Sequence, residues 1–160
     1  MIPLGPSPSL NYFLGQPLGH RFAVFFLGAG VVPYPLDVRF QKVSGLETSV
    51  ETANLNEGGQ NLYSHTLPKR VSHGKLQLER GFVVGSLLNL DINAQLSLFK
   101  FAPANVIVAV LGESGVPLAA WTFAKAFPVR WSTADLNAGE DKVLIDTLEL
   151  AYAHMQAIRI

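Results

Sequence analysis

The sequence predicts a mainly β domain carrying one α-helix, and three observations carry that reading. Short apolar or alternating runs, punctuated by glycine and proline, recur along residues 21–132, the pattern of strands joined by turns. A single internal segment, opened by Gly85-Ser86, sets Leu88, Ile92 and Phe99 near helical spacing behind a serine that suits an N-cap. The chain has 160 residues, the size of one domain with room for a real core.

Composition narrows the class further. Hydrophobic residues make up 49% and charged residues only 15%, against roughly 25% charged in ordinary soluble domains. No run reaches the ~18 apolar residues of a transmembrane helix, so no membrane anchor is expected. Apolar surface on such a chain is expected to hide against partners, which predicts an oligomer. The formal net charge is zero, which speaks against nucleic-acid binding, since phosphates demand clustered Lys and Arg. The absence of cysteine removes disulfide frameworks, thiol catalysis and Cys-based zinc sites. The opening MIPLGPSPSLNYFLGQPLGH has neither the basic start nor the unbroken apolar stretch of a secretory signal.

Residues 1–20 read as an extended Pro/Gly-rich arm, with Leu10, Tyr12, Phe13 and Leu14 as apolar anchors suited to a neighbouring subunit; a disordered tail is the plainer alternative. The folded domain is expected over 21–160. RFAVFFLG (21–28) is apolar on both faces, a strand buried on both sides. LDVRFQ (36–41) alternates, with Leu36, Val38 and Phe40 inward and Asp37, Arg39 and Gln41 outward. The phase slips at Lys42-Val43, which predicts a bulge or bend before Gly45.

Leu46 to Asn54 reads as a strand with one wet face, Glu47, Ser49 and Glu51, opposite Leu46 and Val50. A Gly- and Asn-rich loop (56–68) leads to KRVSHGKLQLERG (69–81), where Lys69, His73, Lys75, Gln77 and Glu79 form a second wet face opposite Leu76 and Leu78. The two strands are expected to pair, with Glu47 and Glu51 across from Lys75 and Lys69 at ~0.2–1 kcal/mol each. NVIVAVLG (105–112) reads as a buried strand and GESGVP as a hairpin-like turn. Strands follow over 118–126 and 129–132, with Trp121, Phe123 and Trp131 as core aromatics. KVLIDTLELAYAHMQAI (142–158) fits helix or strand, and propensity favours helix.

Chemistry is hard to find. The histidines, His20, His65, His73 and His154, form no HxH or HExxH spacing, though His65 and His73 could meet across a hairpin. Asp135, Glu140 and Asp141 around Asn137-Ala138-Gly139 lack the alternate-position ligands of a calcium loop. Gly112-Glu113-Ser114-Gly115 is not the Gly-x-Ser-x-Gly of a nucleophile elbow. Neither enzyme, metal nor cofactor is expected.

Two blocks carry a resemblance. FQKVSGLETSVETANLNEGGQNLYSHTLPKRVSHGKLQLERG (40–81) and WTFAKAFPVRWSTADLNAGEDKVLIDTLELAY (121–152) resemble, in order and spacing, the phage tail tube protein family, which extracellular contractile injection systems share. The second block includes Trp121, Ala126, Pro128, Trp131, Leu136, Asn137, Ala138 and Glu149. The resemblance implies a small antiparallel β-barrel of two packed sheets, flanked by one α-helix at 87–99, with 142–153 as a strand. It implies hexameric rings that stack into a hollow tube, with sheath and baseplate proteins as partners and cargo in the lumen. Such particles are assembled in the bacterial cytoplasm and act as virions or extracellular devices.

On this reading Glu47, Ser49, Glu51, Lys75, Gln77 and Glu79 line the lumen, while Glu57, Gly58, Gly59, Asn61 and Tyr63 contact other subunits or rings. Val50→Asp would then bury a charge and unfold the chain. The apolar arm, and a helix lacking the family's tryptophan-bearing pattern, slightly favour an initiating ring, joining tube to baseplate, over the repeating subunit. Rival readings are a non-contractile or type VI tube ring, and a monomeric β-barrel binding a small ligand around Trp121 and Trp131.

Overall fold

The structure, a computed structural model, describes residues 21–28, 39–56, 58–59 and 62–159. The expected arm (1–20), residues Leu36 to Val38 of the second expected strand, Glu57 and Asn61 lie outside the described residues. Nine strands and a helix follow in order: β1 (Phe22–Leu27), β2 (Lys42–Ser44), β3 (Thr48–Leu55), β4 (His65–His73), β5 (Leu76–Gly81), α1 (Leu87–Leu98), β6 (Ala104–Leu111), β7 (Pro117–Thr133), β8 (Ile145–Ala151) and β9 (His154–Arg159) among the described residues.

One strand joins two sheets. β7 spans 17 residues, where the sequence predicted two separate strands. Its first part, Ala119–Ala124, pairs with β9 and also with β6, which in turn pairs with β1. Its second part, Phe127–Thr133, pairs with β8, and the order runs on through β5 to β2. Lys125 at φ 55° and a register shift between Pro128 and Arg130 bend the strand where it changes sheet. Pro128, with no N–H to offer a ladder, sits at that irregularity. Every pairing is antiparallel.

The sheets close on a single core. Val24, Phe26, Val106, Val108 and Phe123 come from the first sheet, and Leu76, Leu78, Leu148 and Leu150 from the second. Along β5 and β8 alternate residues are buried and the intervening ones are not, the signature of sheets wet on one face. Pairing with both β5 and β7 makes 145–151 a strand, overriding the helix preference of the isolated segment. β9 was not legible in the sequence. It is short and held at an edge by β7, with Met155 its one residue packed on the core.

The helix forms where expected. The Ser86 hydroxyl accepts from the Asn89 N–H at 3.2 Å as N-cap, and Leu88 and Ile92 pack into the core. Phe99 departs from expectation. It is the C-cap, at φ 52°, and that left-handed turn swings its ring into solvent, 82% exposed, so Gln95 takes the third buried position. Arg80, buried on the inner face of β5, donates to Ser86 Oγ at 2.7 Å and to Asn89 Oδ1, and stacks over Phe40. Helix start and second sheet are therefore tied by one guanidinium.

Phe123 is fully buried at the junction of the two sheets. Phe123→Ala is expected to cost about 3–5 kcal/mol, read as a lower denaturant midpoint at unchanged slope.

Candidate functional site: a kinked ribbon and a wet wall

β2–β5 and β3–β4 are successive stretches of one ribbon. Ser44 faces Gln77 and, four positions further along either strand, Thr48 faces His73. Between them the ribbon leaves the barrel, and β3–β4 becomes a separate two-stranded sheet. Gly45 makes the exit. Its φ is 85°, and a Cβ there would collide with the Lys75 carbonyl. The phase slip read at Lys42-Val43 lies at this glycine, and Lys42–Ser44 itself is regular strand.

The turn reverses the alternation. Before it Val43, opposite Leu78, packs on the core; after it Leu46 does. His73, opposite Thr48, lies 5.5 Å from the Tyr152 ring, which meets core Phe123 edge-on at 4.8 Å. The side carrying Thr48 and His73 thus continues the core side. Burial, with the Glu47 charge as a lesser cause, pushes the Tyr152 phenol up. Ser49, Ser72, Glu51 and Arg70 occupy the opposite side of the hairpin.

The second sheet supplies the rest of the wet surface. Lys42, Glu79, Thr147 and Ser132 stand in one cross-strand row, and Ser44, Gln77, Glu149 and Arg130 in the next. These positions alternate with buried Leu76, Leu78, Leu148 and Leu150. The sequence reading found Lys75, Gln77 and Glu79 here but missed Lys42, Arg130, Thr147 and Glu149. The 142–158 segment was ambiguous between helix and strand, so its alternation could not be read.

The expected ion pairs are re-partnered. Glu51 takes Arg70 rather than Lys69, in a bidentate contact at 2.7 and 3.0 Å. A register shift after Glu51 makes Lys69 the extra residue of a bulge. Lys75 lies 3.8 Å from Glu149, not at Glu47, and Arg130 reaches the same carboxylate at 3.5 Å. Lys42 holds Glu79 at 2.9 Å. The expected pairing of residues 46–54 with 69–81 holds only as far as His73, because β4 starts at His65 and the loop is correspondingly shorter.

Val50 is also corrected. It faces Val71 beyond the edge of the core, at 52% and 55% exposure. Gly58 and Gly59 form the tip turn, Gly59 at φ 97°. Leu62 and Tyr63 beside it are exposed.

The alternative chemistries find no support in the geometry. His65 and His73 stand at opposite ends of β4, and among the described residues no cluster of metal-ligating side chains forms. Trp131 lines a cavity of only about 10 Å³, space for one water, and Trp121 does not border it. Neither tryptophan lines the open depression beside Arg21 and Arg39. Ser114 lies in a tight turn closed by Gly112 N–H to Val116 O at 2.8 Å, not on a strand-to-helix elbow. Glu140 is paired with Lys142, and Asn137 caps Gly139, so the 134–144 segment is an ordinary loop.

A bent two-sheet barrel, one capped helix and a protruding ribbon with a wet side are the parts of a tube wall. Residues 19–156 match the family described as T4-like virus tail tube protein gp19. The chain belongs to that family. It is a tail tube protein, a structural subunit and not an enzyme. A chain in the cryo-EM structure of the anti-feeding prophage (AFP) baseplate, 6-fold symmetrised, is 40% identical at a TM-score of 0.84, over 91% of this chain and 97% of its own. A chain of the extracellular contractile injection system PVC sheath-tube complex in the extended state has the same fold, with TM-score 0.82, 18% identity and coverage of 98% and 100%. A chain of the PVC sheath/tube terminator matches at TM-score 0.75 and 20% identity, over 91% and 99%. A search of curated protein sequences gave no match.

Two outcomes test the tail tube ribbon. Gly45→Ala, forced into a left-handed conformation against a carbonyl, should cost about 1–3 kcal/mol and lower the thermal midpoint. Val50→Asp, contrary to the sequence expectation, should leave the monomer folded, with circular dichroism and denaturant midpoint near wild type.

Proposed function

We propose that six copies of this chain form the initiating ring of the inner tube in a contractile injection particle, joining the tube to its baseplate. The observation that carries the initiating role is a contrast in identity. The chain is 40% identical to a chain of the AFP baseplate but only 18% and 20% identical to chains of the PVC sheath-tube complex and terminator. An initiating ring differs from repeating rings by having a baseplate below it, and its sequence should track that neighbour.

Ring formation is supported by what the single chain leaves open. A two-stranded sheet is marginal in water on its own, yet beyond the contact of His73 with Tyr152 at its base β3–β4 is largely exposed, with Val50, Val71, Leu55 and Leu67 half exposed. In a ring the core-side face of the hairpin lies on the adjacent subunit and the sheet edges find partners. Closure removes edges that would otherwise aggregate. A head-to-tail contact that closes makes a ring, and stacking that does not close makes a tube.

In this reading Glu47, Ser49, Glu51, Lys75, Gln77 and Glu79, joined by Lys42, Arg130, Thr147 and Glu149, face the lumen. Gly58, Gly59 and Tyr63 contact other subunits or rings. The working stroke is mechanical: in a particle assembled in the bacterial cytoplasm, sheath contraction drives a stiff tube outward, and cargo travels in its bore.

Purified protein examined by size-exclusion chromatography and negative-stain microscopy should give six-fold rings with a central hole, and should not by itself grow long tubes. A monodisperse monomer would contradict the ring, and long spontaneous tubes would contradict the initiating role. Val50→Asp should abolish rings while the monomer stays folded. Glu51→Ser should leave rings intact, because it removes an exposed pair worth only ~0.2–1 kcal/mol.

A further inference from the structure

Among the described residues, in each ion pair of the wet wall the cation stands further into solvent than its carboxylate. Arg70 is 71% exposed against 39% for Glu51, and Lys42 62% against 23% for Glu79. Lys75 and Arg130 are 64% and 66% exposed, and the Glu149 they share only 18%. The arrangement follows from stem length and position. Each glutamate lies against its strand, and a longer Lys or Arg arches over it from the neighbouring strand and keeps its head in water.

We propose that these cationic heads form a weak, exchangeable track for acidic stretches of a polypeptide cargo. This rests on the lumen-facing assignment above. The physics near such a wall is that of the nearer charge. With the exposed Glu47 the wall holds as many carboxylates as cations, but each cation stands outside the carboxylate it pairs with, so at those pairs a mobile anion meets positive charge first. Exposed pairs exchange at little cost: an incoming carboxylate at Arg70 leaves Glu51 in water, and one at Arg130 leaves Glu149 still beside Lys75. The guanidiniums of Arg70 and Arg130 can take it bidentately. Repetition around the ring multiplies contacts that are individually weak, which suits cargo that must be held before firing and then slide.

Nucleic acid is the less fitting passenger. The wall rows are built of Ser, Thr, Gln and ion pairs, without the aromatic platforms on which single-stranded bases stack.

The test uses rings of the full-length protein, verified by negative stain, with fluorescent poly-glutamate, poly-lysine and oligo-dT as probes. Wild-type rings should retain poly-glutamate at low salt roughly tenfold better than poly-lysine and better than oligo-dT, the preference fading as salt screens the wall. Arg70→Gln combined with Arg130→Gln should reduce poly-glutamate retention at least about tenfold, two charge-assisted contacts per subunit being lost, and leave ring number and size unchanged. Lys142→Gln, in the loop beyond the wall, should change nothing. Intact rings that hold poly-lysine or oligo-dT as well as poly-glutamate, or a double variant that retains poly-glutamate fully, would overturn this proposal alone. Failure to form rings would overturn the tube reading on which it rests.

Discussion

At Gly45 the chain must turn left-handed, at φ 85°, with its α-carbon against the Lys75 carbonyl, and only a residue without a Cβ fits there. The consequences reach further than one turn. A ribbon that ran straight on would keep one alternation throughout, and Leu46 and His73 would join the wet face of Lys42 and Glu79. The turn reverses the phase, so Leu46 returns to the core and His73 settles on Tyr152. Ser49, Glu51, Ser72 and Arg70 are thereby carried to the side that already bears Gln77 and Glu79. A continuous wet surface across two sheets thus depends on one backbone conformation.

The barrel beneath is organised so that the ribbon can leave it. β7 serves both sheets by bending at Lys125 and Pro128, which lets a short chain close a core around Phe123 without a separate linking segment. Arg80 ties the inner face of β5 to the first turn of α1, its buried charge held by the Ser86 hydroxyl and the Asn89 amide oxygen. Cross-strand from it, Asp146 accepts from Thr133 at 2.7 Å. Buried charge of this kind is weak evidence for stability but constrains register. In this fold register decides which residues become wall.

Legibility in the sequence followed how local each signal was. The alternation of Leu76, Gln77, Leu78 and Glu79, the Ser86 cap and the Gly112–Val116 turn are set by neighbours within a few residues, and all were readable. The partner of Glu51 was not, because a bulge after Glu51 moved Lys69 out of register and brought Arg70 opposite. Strand β8 satisfied helical and strand spacing equally until pairing on both sides decided it, and with it went Glu149, the most connected carboxylate of the wall. Val50 looked like core because periodicity reports which face a residue is on, not whether that face extends beyond the barrel. Its half-exposed state is the property of a subunit whose remaining surface belongs to an assembly.

The facing of the wall is open to direct chemical measurement, because the chain contains no cysteine. Ser49→Cys, in rings built into the tube of assembled particles, can be challenged with a small maleimide and with a maleimide polymer too bulky to enter the bore. Rapid reaction with the small reagent and protection from the large one, alongside a Lys142→Cys variant that reacts with both, is the outcome a luminal ribbon requires. Equal reaction of Ser49→Cys with both reagents would put that side of the hairpin on the outside and contradict the account.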